Sequence, residues 1–205
     1  NFQQILKQYQ LQLMFVLLLL VALYWKIVPG MVSDWIKDEN YSHGFLVPII
    51  AGYFLWQRWP ELKEKVVAPS NWGLAICVLG LLQLLISWLG SEYFNMRSSL
   101  IVLIAGMVVF LFGWELLKGM GLPLGYLLFM VPIPYILYDM VAFPLKLFVT
   151  KVSVMALKLA GVVVMREGNI IMFPSTTLEV ADACSGIRSL LSLLALAVAY
   201  SFFIT

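Results

Sequence analysis

A cysteine with charged neighbours lies just before the last apolar segment of the chain. Cys184 follows Asp182 and precedes Arg188 by four residues, in the stretch ADACSGIR. The apolar run that begins near Ser185 predicts a helix, with Asp182 or Ser185 as its N-cap. Exposed N–H groups at a helix start favour a thiolate, and a guanidinium one turn along the same face adds to this effect. Cys184 is therefore a candidate nucleophile, and the same N–H groups can stabilise an oxyanion on a bound carbonyl.

The same residues also have a purely structural interpretation. Free cysteine often packs as a small apolar side chain, which is how we interpret Cys77 inside the run LAICVLGLLQLL. Asp182 can serve only as a helix cap, and Arg188 only as an anchor at the membrane surface. Glu179 adds a further charge near Cys184, and this concentration of polar groups favours the catalytic interpretation. Both interpretations stay open at this point.

The chain has one histidine, His43, in the stretch YSHGFLVP. A histidine can act as general acid or base for a thiol, so His43 is a candidate partner of Cys184 if the two meet in space. Otherwise it is a polar residue at the membrane interface. The sequence has no cluster of histidine, cysteine and carboxylate side chains at the spacing of metal ligands, so neither a metal nor another cofactor is expected.

The composition predicts an integral membrane protein. Of 205 residues, 62% are hydrophobic and 12% charged, whereas a soluble domain is about 45–50% apolar and about 25% charged. Long unbroken apolar runs exclude a disordered chain and an outer-membrane barrel, and they predict an all-α polytopic transmembrane bundle. The length leaves room for about six or seven spans of roughly 20 residues. A net charge of +2 gives no indication of nucleic-acid binding.

The apolar runs divide into seven segments. They lie at about 11–28, 43–59, 72–89, 96–114, from about 122 with a break at Pro132 and Pro134, at 144–165, and from about 185 onwards. Lys146, Lys151 and Lys158 lie in the sixth segment and are costly at a bilayer centre. We therefore expect this segment to lie along the membrane surface as an interfacial helix, with a membrane crossing as the alternative.

The basic residues orient the bundle. Lys7 lies in the first twelve residues, and Arg58, Lys63 and Lys65 lie in the loop 57–71. The positive-inside rule places both stretches in the cytoplasm, so the acidic loop 34–41 and the loop 90–97 face outward. If the sixth segment does not cross, Cys184 and His43 lie on the same outer side; if it crosses, they lie on opposite sides. We expect a protein of the cytoplasmic (inner) membrane with its active site on the extracytoplasmic side.

A small hairpin is predicted immediately before the cysteine. The runs 170–173 and 178–180 are β-prone, and residues 174–177 form the turn between them. Gly168 and Asn169 are typical of another turn, just before the first of these runs. The hairpin is therefore expected to present Glu179 close to the start of the last helix.

Several stretches resemble one family of membrane enzymes. LEVADACSGIRSLLSLLALA closely resembles the active-site segment of the exosortase/archaeosortase family of polytopic membrane cysteine transpeptidases. YSHGFLVPIIAGYFLWQRW resembles the family's early His-Gly segment, and MVPIP with the run after it resembles the stretch that precedes the cysteine. The resemblance extends over about residues 41–200. Its most specific part is Cys-Ser-Gly-Ile-Arg, with Glu179 upstream.

The resemblance implies a substrate, a reaction and a set of residues. The substrate is a membrane-anchored protein with a C-terminal sorting signal: a short motif (Pro-Glu-Pro in the bacterial branch), a transmembrane helix and a basic cluster. Cys184 matches the nucleophile that forms an acyl-enzyme, and transfer or hydrolysis follows. Arg188 is the second candidate catalytic residue. The supporting candidates are Glu179, Asp182, Ser185, Gly186 and His43.

The family's catalytic arginine and histidine lie on segments after the cysteine-containing helix, so neither Arg188 nor His43 is equated with them. We accordingly expect residues 1–205 to form a single integral membrane domain that lacks its C-terminal spans. Two other functions are considered. One is a non-catalytic membrane component of a polysaccharide or protein export system. The other is a small transporter, in which the broken fifth segment lines a substrate site.

Overall fold

The computed structural model of the chain describes residues 10–180 and 187–204. It divides into two compact units, of which the first ends at Pro132 and the second begins at Ile133. The chain folds as an all-α polytopic membrane protein, as the composition predicts. The prediction that residues 1–205 form one domain without its C-terminal spans stays a prediction.

The first unit is built of helices. In chain order they are α1 (Gln10–Tyr24), α2 (Ile27–Lys37), a 3-10 helix (Glu39–Phe45), α3 (Leu46–Gln57), α4 (Trp59–Glu64), α5 (Trp72–Leu89), α6 (Tyr93–Phe112), α7 (Trp114–Tyr126) and a second 3-10 helix (Leu127–Met130). α1 and α2 meet at a bend of 56°. Pro29 explains the break, because it cannot donate to the carbonyl of Trp25 and its ring crowds that carbonyl. The first predicted segment, 11–28, therefore covers α1 and the start of α2 rather than one straight helix.

Three of the described helices are long and apolar enough to cross a membrane: α5, α6 and α8 (Tyr135–Leu159). The bent pair of α1 and α2 raises the number to four. This is fewer than the six or seven spans for which the length leaves room. Two other described helices are shorter: α3, within the second predicted segment, has 12 residues, and α7, which ends within the fifth, has 13, against the roughly 20 that a straight span requires.

α5 and α6 form the most extensive helix pair among the described elements. Glycines bring them together, because a Cβ added at Gly73 would overlap the backbone of Phe110. At Gly106, an added Cβ would lie 2.8 Å from the Sγ atom of Cys77. Small residues at such positions allow the close backbone approach that is typical of membrane helices. Cys77 packs at this interface, in agreement with its structural interpretation.

The second unit contains α8, a three-stranded sheet and a final helix. The strands are β1 (Met165–Glu167), β2 (Ile170–Met172) and β3 (Thr177–Glu179), and the helix is α9 (Ile187–Ile204). The predicted start of the sixth segment at Pro144 is wrong, because Pro144 lies inside the continuous helix α8. Proline is tolerated within membrane helices where neighbouring groups satisfy the freed carbonyl. α8 is long and apolar enough to cross a membrane, and its surface-lying orientation stays a prediction.

The predicted hairpin is present, and a third strand joins it. All the pairings in the sheet are antiparallel, in the order β1-β2-β3. Gly168, with φ at +60°, lies in the tight turn between β1 and β2. The sequence analysis predicted a turn here but no strand before it. Strand β1 carries Arg166 and Glu167, so it lacks the apolar alternation that marks a strand in the sequence.

Candidate functional site

The structure describes three of the seven predicted site residues at least in part. Glu179 is the last residue of β3, His43 lies in the 3-10 helix Glu39–Phe45, and Arg188 lies in α9. The side chain of Arg188 lies outside the described part of the structure, as do four whole residues of the predicted site: Asp182, Cys184, Ser185 and Gly186. Along the chain, the described elements that flank Cys184 are therefore β3 before it and α9 after it.

Glu179 is held by the turn between β1 and β2. The Nδ2 atom of Asn169 donates to Oε1 of Glu179 at 3.2 Å and to the carbonyl of Val180 at 3.4 Å. The backbone N–H of Val180 in turn donates to the carbonyl of Asn169. Asn169 thereby fixes the end of β3, and the sequence analysis missed this role because it assigned Asn169 only to a turn. The hydrogen bond from Asn169 also orients the carboxylate of Glu179.

The sheet is anchored to α8 by a small apolar core. Ile171, in the central strand, is buried together with Val154 and Val164. At the edge of the sheet, Arg166 of β1 reaches the carbonyl of Leu147 in α8. These contacts fix the sheet against α8. The chain then leaves the sheet at the end of β3 and enters the segment that contains Cys184.

α9 packs against the first half of α8. Leu191 contacts the cluster formed by Tyr138, Ala142 and Leu145. α9 therefore shares α8 with the sheet, so one helix positions the elements that precede and follow Cys184. The predicted helix after the cysteine is confirmed from Ile187 onwards.

His43 belongs to a packed part of the first unit. It is partly buried and hydrogen-bonded to the backbone of Phe129, in the second 3-10 helix. Burial lowers the pKa of His43, and the hydrogen bond partly offsets that effect. The next residue, Gly44, has no room for a Cβ against the Trp35 ring, and the Trp35 Nε1 donates to the Met130 carbonyl at 2.9 Å. His43 is thus held within the first unit, and its partnership with Cys184 stays a prediction.

The sequence analysis missed a buried ion pair. Arg97 in α6 donates to Asp34 in α2, and its guanidinium also lies 5.6 Å from the Tyr93 ring centre. The Arg97 side chain is only 8% exposed, whereas Asp34 is 45% exposed. The sequence did contain a signal for this pair. Asp34 and Arg97 carry opposite charges at the ends of apolar segments, and the positive-inside rule places both ends on the outer side.

Among the residues that the structure describes, no group of three or more histidine, cysteine and acidic side chains could hold a metal.

Comparison with known protein families decides the assignment. A family model described as "Transmembrane exosortase" matches residues 35–205, more than four fifths of the chain. The chain belongs to the transmembrane exosortase family. This confirms the resemblance found in the sequence and implies a membrane transpeptidase-type role for this exosortase. The matched region begins in α2 and includes the stretches that contain His43 and Cys184. Searches of curated proteins and of solved structures gave no match.

Proposed function

We propose that this exosortase is a cysteine transpeptidase that cleaves C-terminal sorting signals of membrane-anchored proteins through an acyl-enzyme on Cys184. The family match over the stretch that contains Cys184 and Arg188 carries the proposal. The neighbouring elements are compatible with it, because a three-stranded sheet with an exposed edge strand precedes the cysteine and an apolar helix follows it. A substrate anchored by its own transmembrane helix is held at the bilayer, which raises its effective concentration near the nucleophile.

The proposed reaction has two steps. The Cys184 thiolate attacks the scissile carbonyl, the C–N bond breaks, and the amine leaves with a proton from a general acid. An acceptor amine or water then attacks the thioester and releases the thiol. Arg188 is assigned to favour the thiolate or the developing oxyanion, because a fixed positive charge stabilises both. The supporting residues in the proposal are Glu179, Asp182, Ser185 and Gly186, with His43 as a candidate acid.

The extended sorting motif is proposed to bind as an added strand along β3. β3 pairs with β2 on one side, and its three residues are exposed. Because Val180 and Asn169 form a hydrogen-bonded pair, the alternation of an antiparallel ladder directs the N–H and C=O groups of Thr177 and Glu179 away from β2. Those groups are available to a fourth strand. The other edge strand, β1, packs beside α8, so we assign the substrate to β3.

Replacement of one outward N–H tests strand addition. Thr177 is the first residue of β3, where proline removes the outward donor without breaking a bond to β2. Thr177→Pro should lower kcat/KM for a sorting-signal substrate by about fivefold, the effect of one lost hydrogen bond. Thr177→Val keeps the N–H and is the matched control. Equal activity of the proline and valine variants would contradict strand addition at this edge.

The nucleophile is tested with the two cysteines of the chain. The full-length protein is co-expressed with a tagged membrane protein that carries a C-terminal sorting signal, and processing is followed by the shift in size of the tagged protein. Cys184→Ala should abolish processing, whereas Cys77→Ala should leave it close to wild type because Cys77 packs between α5 and α6. Processing by the Cys184→Ala protein at the wild-type rate would contradict the mechanism and favour a non-catalytic membrane component.

The membrane side of the site is part of the proposal. The basic stretch 57–71, which contains α4, is assigned to the cytoplasm by the positive-inside rule. The ends of α5 and α6 near Arg97 then face the opposite side, and Cys184 is assigned to that side as well. Arg188→Ala is expected to reduce activity, and Arg188→Lys should restore it only in part because lysine lacks the planar fork.

A further inference from the structure

Two cavities meet at the end of the first unit where α5 turns into α6. The first has a volume of about 260 Å³, and its lining includes two basic residues together with Gly30, Ser91 and Tyr93; the basic residues are Lys26 and Arg97. The second has a volume of about 420 Å³ and is lined by leucines: Leu23, Leu81, Leu84 and Leu85. Ile27 and Trp88 line both cavities. A cationic cavity therefore adjoins an apolar groove that lies between α1 and α5.

The cationic cavity contains a buried side chain with unused donors. Arg97 is more than nine-tenths buried and donates through one nitrogen to Asp34. Among the residues that the structure describes, no acceptor is found for its other guanidinium N–H groups. A guanidinium carries five donors, and buried polar groups are nearly always hydrogen-bonded. Lys26 and Arg97 line the same cavity, so an anion of modest size can be reached by both side chains.

We propose that the two cavities together bind one anionic phospholipid. Its phosphate lies between Lys26 and Arg97, and one acyl chain lies in the leucine-lined groove. Charge supports this occupant: Asp34 offsets one of the two cations, and a single net positive charge faces the phosphate. Trp88 and Tyr93 at the mouth are the aromatic types enriched where headgroups meet acyl chains. The leucines of the groove suit a chain, and a free phosphate would leave them uncovered.

The lipid would contact several elements of the first unit at once. Its headgroup touches the bend between α1 and α2 and the start of α6, while its chain lies on α5. Bound there, it stabilises the bent pair against the bundle. All of these residues belong to the first unit, so this proposal is independent of the assignment of Cys184. Failure of either proposal leaves the other in place.

The experiment measures lipid retention by the delipidated full-length protein in detergent. Phosphatidylglycerol, phosphatidylcholine and inorganic phosphate are added separately, and binding is read by native mass spectrometry together with the shift in Tm. Phosphatidylglycerol should bind at least fivefold more tightly than phosphatidylcholine, since one basic side chain near an anionic lipid accounts for about that factor. Inorganic phosphate should not reproduce the shift in Tm. Equal binding of both lipids, or an equal shift with phosphate, would overturn the proposal.

Variants distinguish this site from general lipid binding. Gly30 lines the cationic cavity, and a Cβ there meets no atom within 4 Å, so Gly30→Leu is designed to fill part of the cavity. It should lower phosphatidylglycerol binding more than tenfold and leave the Tm without lipid unchanged or higher. Lys26→Gln should weaken binding about fivefold. The control Lys37→Gln, on the same helix as Gly30 but outside the cavity, should not change it. Wild-type binding by the Gly30→Leu protein would contradict the proposed site.

Discussion

The buried ion pair predicts an unequal response to removal of its two partners. Asp34→Asn leaves the guanidinium of Arg97 in place without its carboxylate, in surroundings where the side chain is 8% exposed. Removal of one partner of a fully buried pair costs about 3–5 kcal/mol. This pair is only partly buried, because Asp34 is 45% exposed, and the asparagine oxygen still accepts a hydrogen bond, so the cost is smaller here. We therefore expect Asp34→Asn to lower the free energy of unfolding by roughly 2 kcal/mol.

The reverse substitution is expected to cost less. Arg97→Met leaves the carboxylate of Asp34, which is 45% exposed and can be hydrated. Methionine fills the space of the arginine stem, so the loss is close to that of a surface pair, about 1 kcal/mol. The double variant carries no unpaired buried charge. It should therefore be no less stable than Arg97→Met alone, and its cost should be smaller than the sum of the single costs.

The assay is denaturant unfolding of the purified protein in detergent micelles without added lipid, followed by tryptophan fluorescence. The free energies of unfolding of the wild type, both single variants and the double variant form one cycle. Additive costs, or a larger loss from Arg97→Met than from Asp34→Asn, would refute the reasoning. Additive costs would mean that the two side chains are not coupled, and a larger loss from Arg97→Met would mean that the unpaired carboxylate costs more than the unpaired guanidinium.

Three further predictions concern other parts of the molecule. Burial lowers the pKa of folded His43 below its usual value of about 6.5; stability should therefore fall as the pH drops through and below 6.5, and the loss should be absent in His43→Gln. Gly73→Ala should destabilise the α5–α6 pair by about 1–3 kcal/mol, whereas Gly121→Ala, which has open space around its Cβ, should not; equal unfolding curves would contradict the packing. A membrane-impermeant thiol reagent should label Cys184 from the extracytoplasmic side at neutral pH and leave Cys77 unlabelled; labelling from the cytoplasmic side alone would reverse the proposed orientation.

The helices and turns that are determined by their own sequence were predicted correctly. The third apolar segment, 72–89, coincides with α5, because an uninterrupted apolar run leaves no other choice in a membrane. The hairpin of β2 and β3 also followed from its β-prone runs and its turn. Pro29 carried enough information to predict the break between α1 and α2, whereas Pro144 breaks nothing. Whether a proline interrupts a helix depends on the neighbours that satisfy the freed carbonyl, which a linear sequence does not contain.

The parts that the sequence did not reveal depend on contacts between distant segments. Strand β1 exists because Arg166 and its neighbours pair with β2, although they lack apolar alternation. The pair of Asp34 and Arg97 joins residues 63 positions apart. Its two charges were visible in the sequence, but their meeting is a property of the packing of α2 on α6. The choice of Cys184, in contrast, came from local charge and a family motif, and it stays a prediction.

The most direct test of the central proposal is the detection of the acyl-enzyme. The full-length protein is incubated with a sorting-signal substrate and quenched in acid, and its peptides are analysed by mass spectrometry. We predict that the peptide containing Cys184 carries the N-terminal part of the cleaved substrate as a thioester, which hydroxylamine removes and which the Cys184→Ala protein lacks. Cleavage of the substrate with no adduct on Cys184, or with the adduct on Cys77, would contradict the proposed mechanism.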